Sequence, residues 1–148
     1  MKRIVVVDNE AAICELIQVA LESEGGYEVA YQSDPMAAAR LFAQQKYDLA
    51  LIDIVLPGLS GFDLACMALG RGVRVLLMTG NYDTVDAMQK EGLPCLQKPF
   101  RLTALIGALK QESLVRPDYP ERLRAYLVKV VRRRETAQDI LNPPENRG

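Results

Sequence analysis

Apolar residues recur along the chain in short runs at positions 4–7, 27–31, 49–52, 73–78 and 95–96, each followed by a stretch with helical spacing. The first, third and fourth runs are unbroken rather than alternating, which is the pattern of central strands covered on both faces. The stretches between and after them, 11–23, 35–45, 62–69, 84–90 and 102–111, are amphipathic. In the first, Ile13, Leu16, Ile17, Ala20 and Leu21 are predicted to share one buried stripe. In the second, Ala38, Leu41 and Phe42 repeat the spacing, and Asp34-Pro35 reads as an N-cap followed by proline in the first turn. Strand and helix alternating in this way predict right-handed crossovers and one parallel sheet with helices on both faces.

That pattern is complete by residue 113. Pro117 and Pro120 then interrupt the chain, and Asp118-Tyr119-Pro120 can start another helix. Leu123, Leu127, Val130, Ala137 and Leu141 follow in steps of four and three, with Arg134 interrupting the seam. A helix is expected over 123–141, ended by Pro143-Pro144, with fraying beyond. The chain therefore reads as a domain over 1–113 and a helical extension over 114–148, too short for a second globular domain and with no output domain. The 123–141 helix can pack on its own domain, pair with a second copy of the chain to give a homodimer, or be the stub of a longer architecture; a pairing or docking role is the favoured expectation.

The length of 148 residues, 49% of them hydrophobic, suits one domain with a substantial core. The net charge of -1 hides an asymmetry. Residues 1–113 hold 10 basic against 14 acidic residues, a net of -4, whereas 114–148 hold 8 against 5, a net of +3. The Arg132-Arg133-Arg134 run reads as a solvated helix face. No recognisable helix-turn-helix or zinc module accompanies it, so nucleic acid is not expected as a partner. There is no histidine, which excludes Ser-His-Asp and Cys-His nucleophilic sites, His-ligated zinc and haem, and a phosphohistidine carried by this chain. The three cysteines, Cys14, Cys66 and Cys95, form no CxxC pair and sit among apolar neighbours, as buried thiols in a reducing compartment do. No stretch has the length of a membrane span, and a cytoplasmic location with no membrane partner is expected.

Ligands of open parallel sheets bind beyond the carboxyl ends of the strands. There the first run delivers Asp8 and Asn9, with Glu10 opening the helix; the third delivers Asp53, the fourth Thr79 and the fifth Lys98. A carboxylate pair, a hydroxyl and an ammonium on one edge make a site for a divalent cation and a phosphoryl group. Hard oxygen donors with only one or two carboxylates suit Mg²⁺, and lysine and threonine complement phosphoryl oxygens. Each residue alone has a plainer explanation. Asp8, Asn9 and Asp53 are common turn residues, a lone Lys-Pro is usually a solvated loop, and Cys95 fits a packed small side chain. The combination carries the inference.

The chain resembles the receiver domains of bacterial two-component response regulators over about residues 2–113. The resemblance rests on Val6-Val7-Asp8-Asn9-Glu10, Asp53-Ile54-Val55-Leu56-Pro57-Gly58-Leu59-Ser60-Gly61, Met78-Thr79-Gly80 and Lys98-Pro99-Phe100, in that order and spacing. It implies an α/β fold, a flavodoxin-like (βα)5 doubly wound parallel sheet of strand order 2-1-3-4-5. It implies that Asp53 is the phosphoacceptor, taking a phosphoryl group from the phosphohistidine of a sensor histidine kinase or histidine phosphotransfer protein. Mg²⁺ would be held by Asp8, Asn9, Asp53 and the backbone carbonyl of Val55. Lys98 would pair with Asp53 and then with the phosphoryl group, and Thr79 would turn its hydroxyl onto a phosphoryl oxygen. A cis Lys98-Pro99 peptide is implied as well. The response would appear on the surface of the fourth helix, fifth strand and fifth helix, read by a downstream protein target. Such a protein is a signalling phosphoacceptor, not an enzyme turning over an external substrate.

Two positions depart from the family pattern. Asn9 stands where a second acid is usual, which removes a charge from the metal site. Cys95 stands at the switch position, three residues before the lysine, where Tyr or Phe usually fills the space left by the moving threonine. These departures support a rival reading, a pseudo-receiver that binds or dimerises without phosphorylation. A phosphohydrolase using Asp53 is less consistent with the chain, because Val55 stands where that class typically has its second acid.

Overall fold

The computed structural model describes residues 1–141. Five strands, β1 (Lys2–Val7), β2 (Tyr27–Gln32), β3 (Leu49–Asp53), β4 (Arg74–Thr79) and β5 (Cys95–Gln97), form one parallel sheet in the order β2-β1-β3-β4-β5. The helices α1 (Ala11–Glu24), α2 (Pro35–Gln44), α3 (Gly61–Gly70), α4 (Tyr82–Lys90) and α5 (Leu102–Leu109) alternate with them. The expected flavodoxin-like α/β architecture and strand order are therefore present. Two further helices follow, α6 (Glu112–Val115) and α7 (Tyr119–Leu141).

The unbroken runs become the middle of the sheet. Ile4–Val7, Ala50–Ile52 and Val75–Met78 are all buried, with helices over both faces. β-branched and leucine side chains suit this setting because the pleat presents alternate residues to two dry faces. Local chemistry sets the helix starts. Asp34 accepts a hydrogen bond from the Met36 amide at 3.2 Å just before Pro35, and Ser60 and Asn81 cap α3 and α4 in the same manner.

The α1 stripe is the one expected except at Leu16, with Cys14 in addition: Ile13 and Ala20 are half-buried. Cys14, Ile17 and Leu21 face the core, while Leu16 is 66% exposed. Positions 14, 17 and 21 fall on one line of the helix, and position 16 lies about 200° around it from position 14, toward solvent. Cys14 and Cys95 are buried and Cys66 is half-buried; all three are free thiols.

The chain after α5 joins the same core. Leu114, Tyr119, Leu123 and Leu127 are buried in one continuous cluster with the sheet residues. Tyr119 donates its hydroxyl to the Val75 carbonyl at 2.5 Å, and Arg74 reaches the carbonyls of Leu114 and Arg116 at 2.8 and 3.0 Å. Of the alternatives open for the seam, packing on its own domain is the one seen, through Leu123 and Leu127, while Leu141 is exposed. The expected stop at Pro143-Pro144, and the packing of Ala137, lie outside what is described. Among the described residues, no helix is long and apolar enough to cross a membrane.

Candidate functional site

Strand order reverses between β1 and β3, whose neighbours β2 and β4 lie to opposite sides. Side chains just past their carboxyl ends therefore face a crevice that the connecting helices do not fill. Asp8 follows β1 and Asp53 ends β3, and both are buried, with exposures of 0% and 5%. Thr79 ends the adjacent β4, one residue beyond the Asp53–Met78 pairing, and is 1% exposed.

Lys98 closes the group from the edge strand. Its Nζ donates to Asp8 Oδ2 at 2.6 Å and to Asp53 Oδ2 at 3.0 Å, bridging the two carboxylates. Burial pulls the lysine's pKa down, but the hydrogen bonds to Asp8 and Asp53, with the charges of both, raise it by more. The ammonium is therefore fully protonated at neutral pH. The Lys98-Pro99 peptide is cis, as the resemblance implies.

The second oxygen of each carboxylate is held by backbone. Asp8 Oδ1 accepts from the Glu10 amide at 2.9 Å and Asp53 Oδ1 from the Val55 amide at 3.0 Å. Two acids share one lysine, so the cluster keeps an excess negative charge before any ligand arrives. Asn9, next to Asp8 in the chain, is exposed. Among the described residues no group of three or more His, Cys, Asp or Glu side chains forms a metal cluster. The donors present are hard oxygens: two carboxylates, an amide and the nearby Val55 carbonyl. That set fits Mg²⁺, which keeps several waters and needs few protein ligands.

The structure thus brings Asp8, Asp53, Thr79 and Lys98 together. Cys95 is set apart: it lies three residues before Lys98 at the start of β5, near Tyr119 and Tyr126 of α7, and burial pushes its thiol up to about 12. At neutral pH it is a packed thiol rather than a nucleophile.

Two contributors carry no titratable group. A Cβ on Gly61 would lie 2.1 Å from the Asp53 carbonyl oxygen and 2.5 Å from Ile54 Cα, so α3 can begin directly behind the Asp53 backbone only with glycine there. Gly61 also donates its amide to the Ile54 carbonyl at 2.9 Å, closing the loop. Asn81 donates its amide to Thr79 Oγ1 at 3.2 Å while its side chain caps α4. The sequence offered a hint for Gly61, a glycine after a Pro-Gly turn, but none for the Thr79–Asn81 link.

The sequence profile of the response regulator receiver domain matches residues 4–110. The chain belongs to this family. Among curated relatives, the DNA-binding response regulator MtrA of Mycobacterium tuberculosis is 30% identical over 124 residues, covering 80% of this chain and 54% of MtrA. This receiver spans about half the length of the curated relatives it matches. Among solved structures, a CheY-like receiver domain from Methanospirillum hungatei is 29% identical with a TM-score of 0.65, covering 82% of this chain and 98% of that one. The response regulator TrrA of Thermotoga maritima, solved in complex with Mg²⁺-BeF, is 30% identical with a TM-score of 0.64 and covers 74% and 97%. Receiver domains are signalling phosphoacceptors of two-component systems in bacteria, interact with histidine kinases and bind Mg²⁺. Because MtrA is by name a DNA-binding regulator, the expectation that nucleic acid is not a partner has no support from the relatives.

Proposed function

We propose that this receiver accepts a phosphoryl group on Asp53 from the phosphohistidine of a partner kinase or histidine phosphotransfer protein, and signals through protein–protein contact in the cytoplasm. The observation that carries the proposal is the Lys98 bridge between two buried carboxylates, with Thr79 on the neighbouring strand.

An Asp53 carboxylate oxygen attacks phosphorus. The new P–O bond forms as the donor's P–N bond breaks, and the imidazole leaves with the electron pair. The Val55 amide fixes one Asp53 oxygen, which orients the carboxylate for in-line attack. Lys98 passes from the carboxylate to the transferred group and balances its charge. Thr79 gives up its link to the Asn81 amide and donates its hydroxyl to a phosphoryl oxygen. Asp8, Asn9, Asp53 and the Val55 carbonyl would hold Mg²⁺, which supplies charge neutralisation at the phosphoryl oxygens. A partner presenting its histidine has an apolar footing on α1, where Leu16 and Val19 are exposed. A depression of about 600 Å³ lined by Gln89, Leu93, Cys95, Phe100, Arg101 and Ala104 lies on the α4–β5–α5 side, where a downstream protein would bind.

The test is intact mass after incubation with acetyl phosphate. One added phosphoryl group is expected with Mg²⁺ present and none with the metal chelated. An unchanged mass with Mg²⁺, and again with a cognate kinase, would overturn the proposal.

A phosphorylation-independent binding module is the second reading, favoured by Asn9 and Cys95. Calorimetry separates the two. The wild type is expected to bind Mg²⁺ in the millimolar range or tighter. Asn9→Asp adds a charge within a few ångströms of the ion, worth about 1 kcal/mol or more, so binding should tighten roughly tenfold. No Mg²⁺ binding by the wild type, rescued only in Asn9→Asp, would favour the second reading.

A further inference from the structure

Helix α7 lies over the domain in a defined direction. Tyr119 is anchored beneath the start of β4 through the Val75 carbonyl, Arg124 reaches the Leu69 carbonyl near the end of α3 at 3.3 Å, and Arg134 pairs with Asp63 in the first turn of α3 at 3.2 Å. α7 therefore runs antiparallel to α3, from the amino edge of the sheet toward the edge that bears Asp53. Its start is also tied to α4. Arg122 donates to the Glu91 carbonyl, just past the end of α4, at 2.7 Å. It covers Gly92 so closely that a Cβ there would sit 2.9 Å from the guanidinium.

Both helices held by α7 connect to the site by backbone. α3 begins against the Asp53 carbonyl through Gly61, and Asp63 is two residues further on. α4 begins at Asn81, whose amide is held by Thr79 Oγ1. A Thr79 hydroxyl drawn onto a phosphoryl group withdraws that acceptor and frees the start of α4, while Arg122 still ties its far end to α7.

We propose that α7 is a strap coupled to Asp53. Docked, it holds α3 and α4 in the unphosphorylated arrangement; phosphorylation loosens it, so that the Leu123, Leu127 and Val130 stripe opens more often. The proposal rests on the reading of Asp53 as phosphoacceptor. Because coupling between two sites is reciprocal, weakening the strap must also tighten binding of a phosphoryl mimic.

Amide hydrogen exchange of the full chain, with and without beryllofluoride and Mg²⁺, tests this. Exchange over residues 119–134 is expected to accelerate about fivefold or more when the mimic is bound. The Arg122→Ala/Arg134→Ala double variant removes two exposed contacts without opening the core, and should bind the mimic about fivefold more tightly. If the mimic binds, seen as protection around Asp53, yet exchange over 119–134 is unchanged or slowed and the double variant has wild-type affinity, the strap is overturned and the phosphoacceptor reading stands. If the mimic does not bind, both fall.

Discussion

Asp53→Asn is expected to give a folded protein that takes up no phosphoryl group under conditions that modify the wild type. The amide matches the carboxylate in size and can still accept the Val55 amide, and Lys98 keeps its 2.6 Å bond to Asp8. What is lost is the negative charge and the basic oxygen that must form the P–O bond. The substitution therefore separates chemistry from stability. Uptake should fall to background, while the unfolding free energy should stay within about 1 kcal/mol of the wild type, since one ion pair of a partly solvated lysine is removed along with the repulsion between two acids. Intact mass and denaturant unfolding on the same preparation check both parts. Normal uptake by Asp53→Asn would place the nucleophile elsewhere.

Tyr119→Ala should produce the largest loss of stability among single changes in the C-terminal segment. The side chain is among the largest that are fully buried, and its hydroxyl is bonded to the Val75 carbonyl. Truncating a buried aromatic costs about 3–5 kcal/mol. For a chain of this size that lowers the melting temperature by roughly 10 °C. Tyr119→Phe keeps the packing and removes only the hydrogen bond, a loss of about 1 kcal/mol. A melting temperature for Tyr119→Ala within a degree or two of wild type would mean that α7 does not share the core of the sheet domain.

The site was largely legible before the structure because of strand geometry. Continuous apolar runs ending in Asp8, Asp53 and Thr79 place polar groups at one edge of a parallel sheet, and because the strands run the same way that edge is the carboxyl one. Lys98 was legible only through those partners, since a lysine before proline has no local signature. Leu16 was misplaced because helical spacing alone leaves the phase of the stripe open by one position, and Cys14 carries little hydrophobic weight despite being wholly buried. Gly61 and Asn81 act through backbone contacts that no periodicity encodes.

The C-terminal segment shows the same limit at a larger scale. A seam of Leu123, Leu127 and Val130 has one appearance in sequence whether it meets a second copy or its own α3. The choice is made by groups scattered far along the chain: the Val75 carbonyl, the Glu91 carbonyl and Asp63. Tyr119 reads as the start of a helix, which it is, and its side chain is also the anchor of that helix in the core. The basic excess of the extension is likewise spent in part on the domain itself, since Arg122, Arg124 and Arg134 all contact it.

The central claim is that Asp53 is the atom-level acceptor, held between Asp8, Lys98 and Thr79. Peptide-level mass spectrometry of the protein treated with acetyl phosphate and Mg²⁺ tests it most directly. The added phosphoryl group should map to the peptide containing Asp53 and be released by hydroxylamine, as an acyl phosphate is. A phosphoryl group on a serine, threonine or tyrosine that survives hydroxylamine, with Asp53 unmodified, would contradict it.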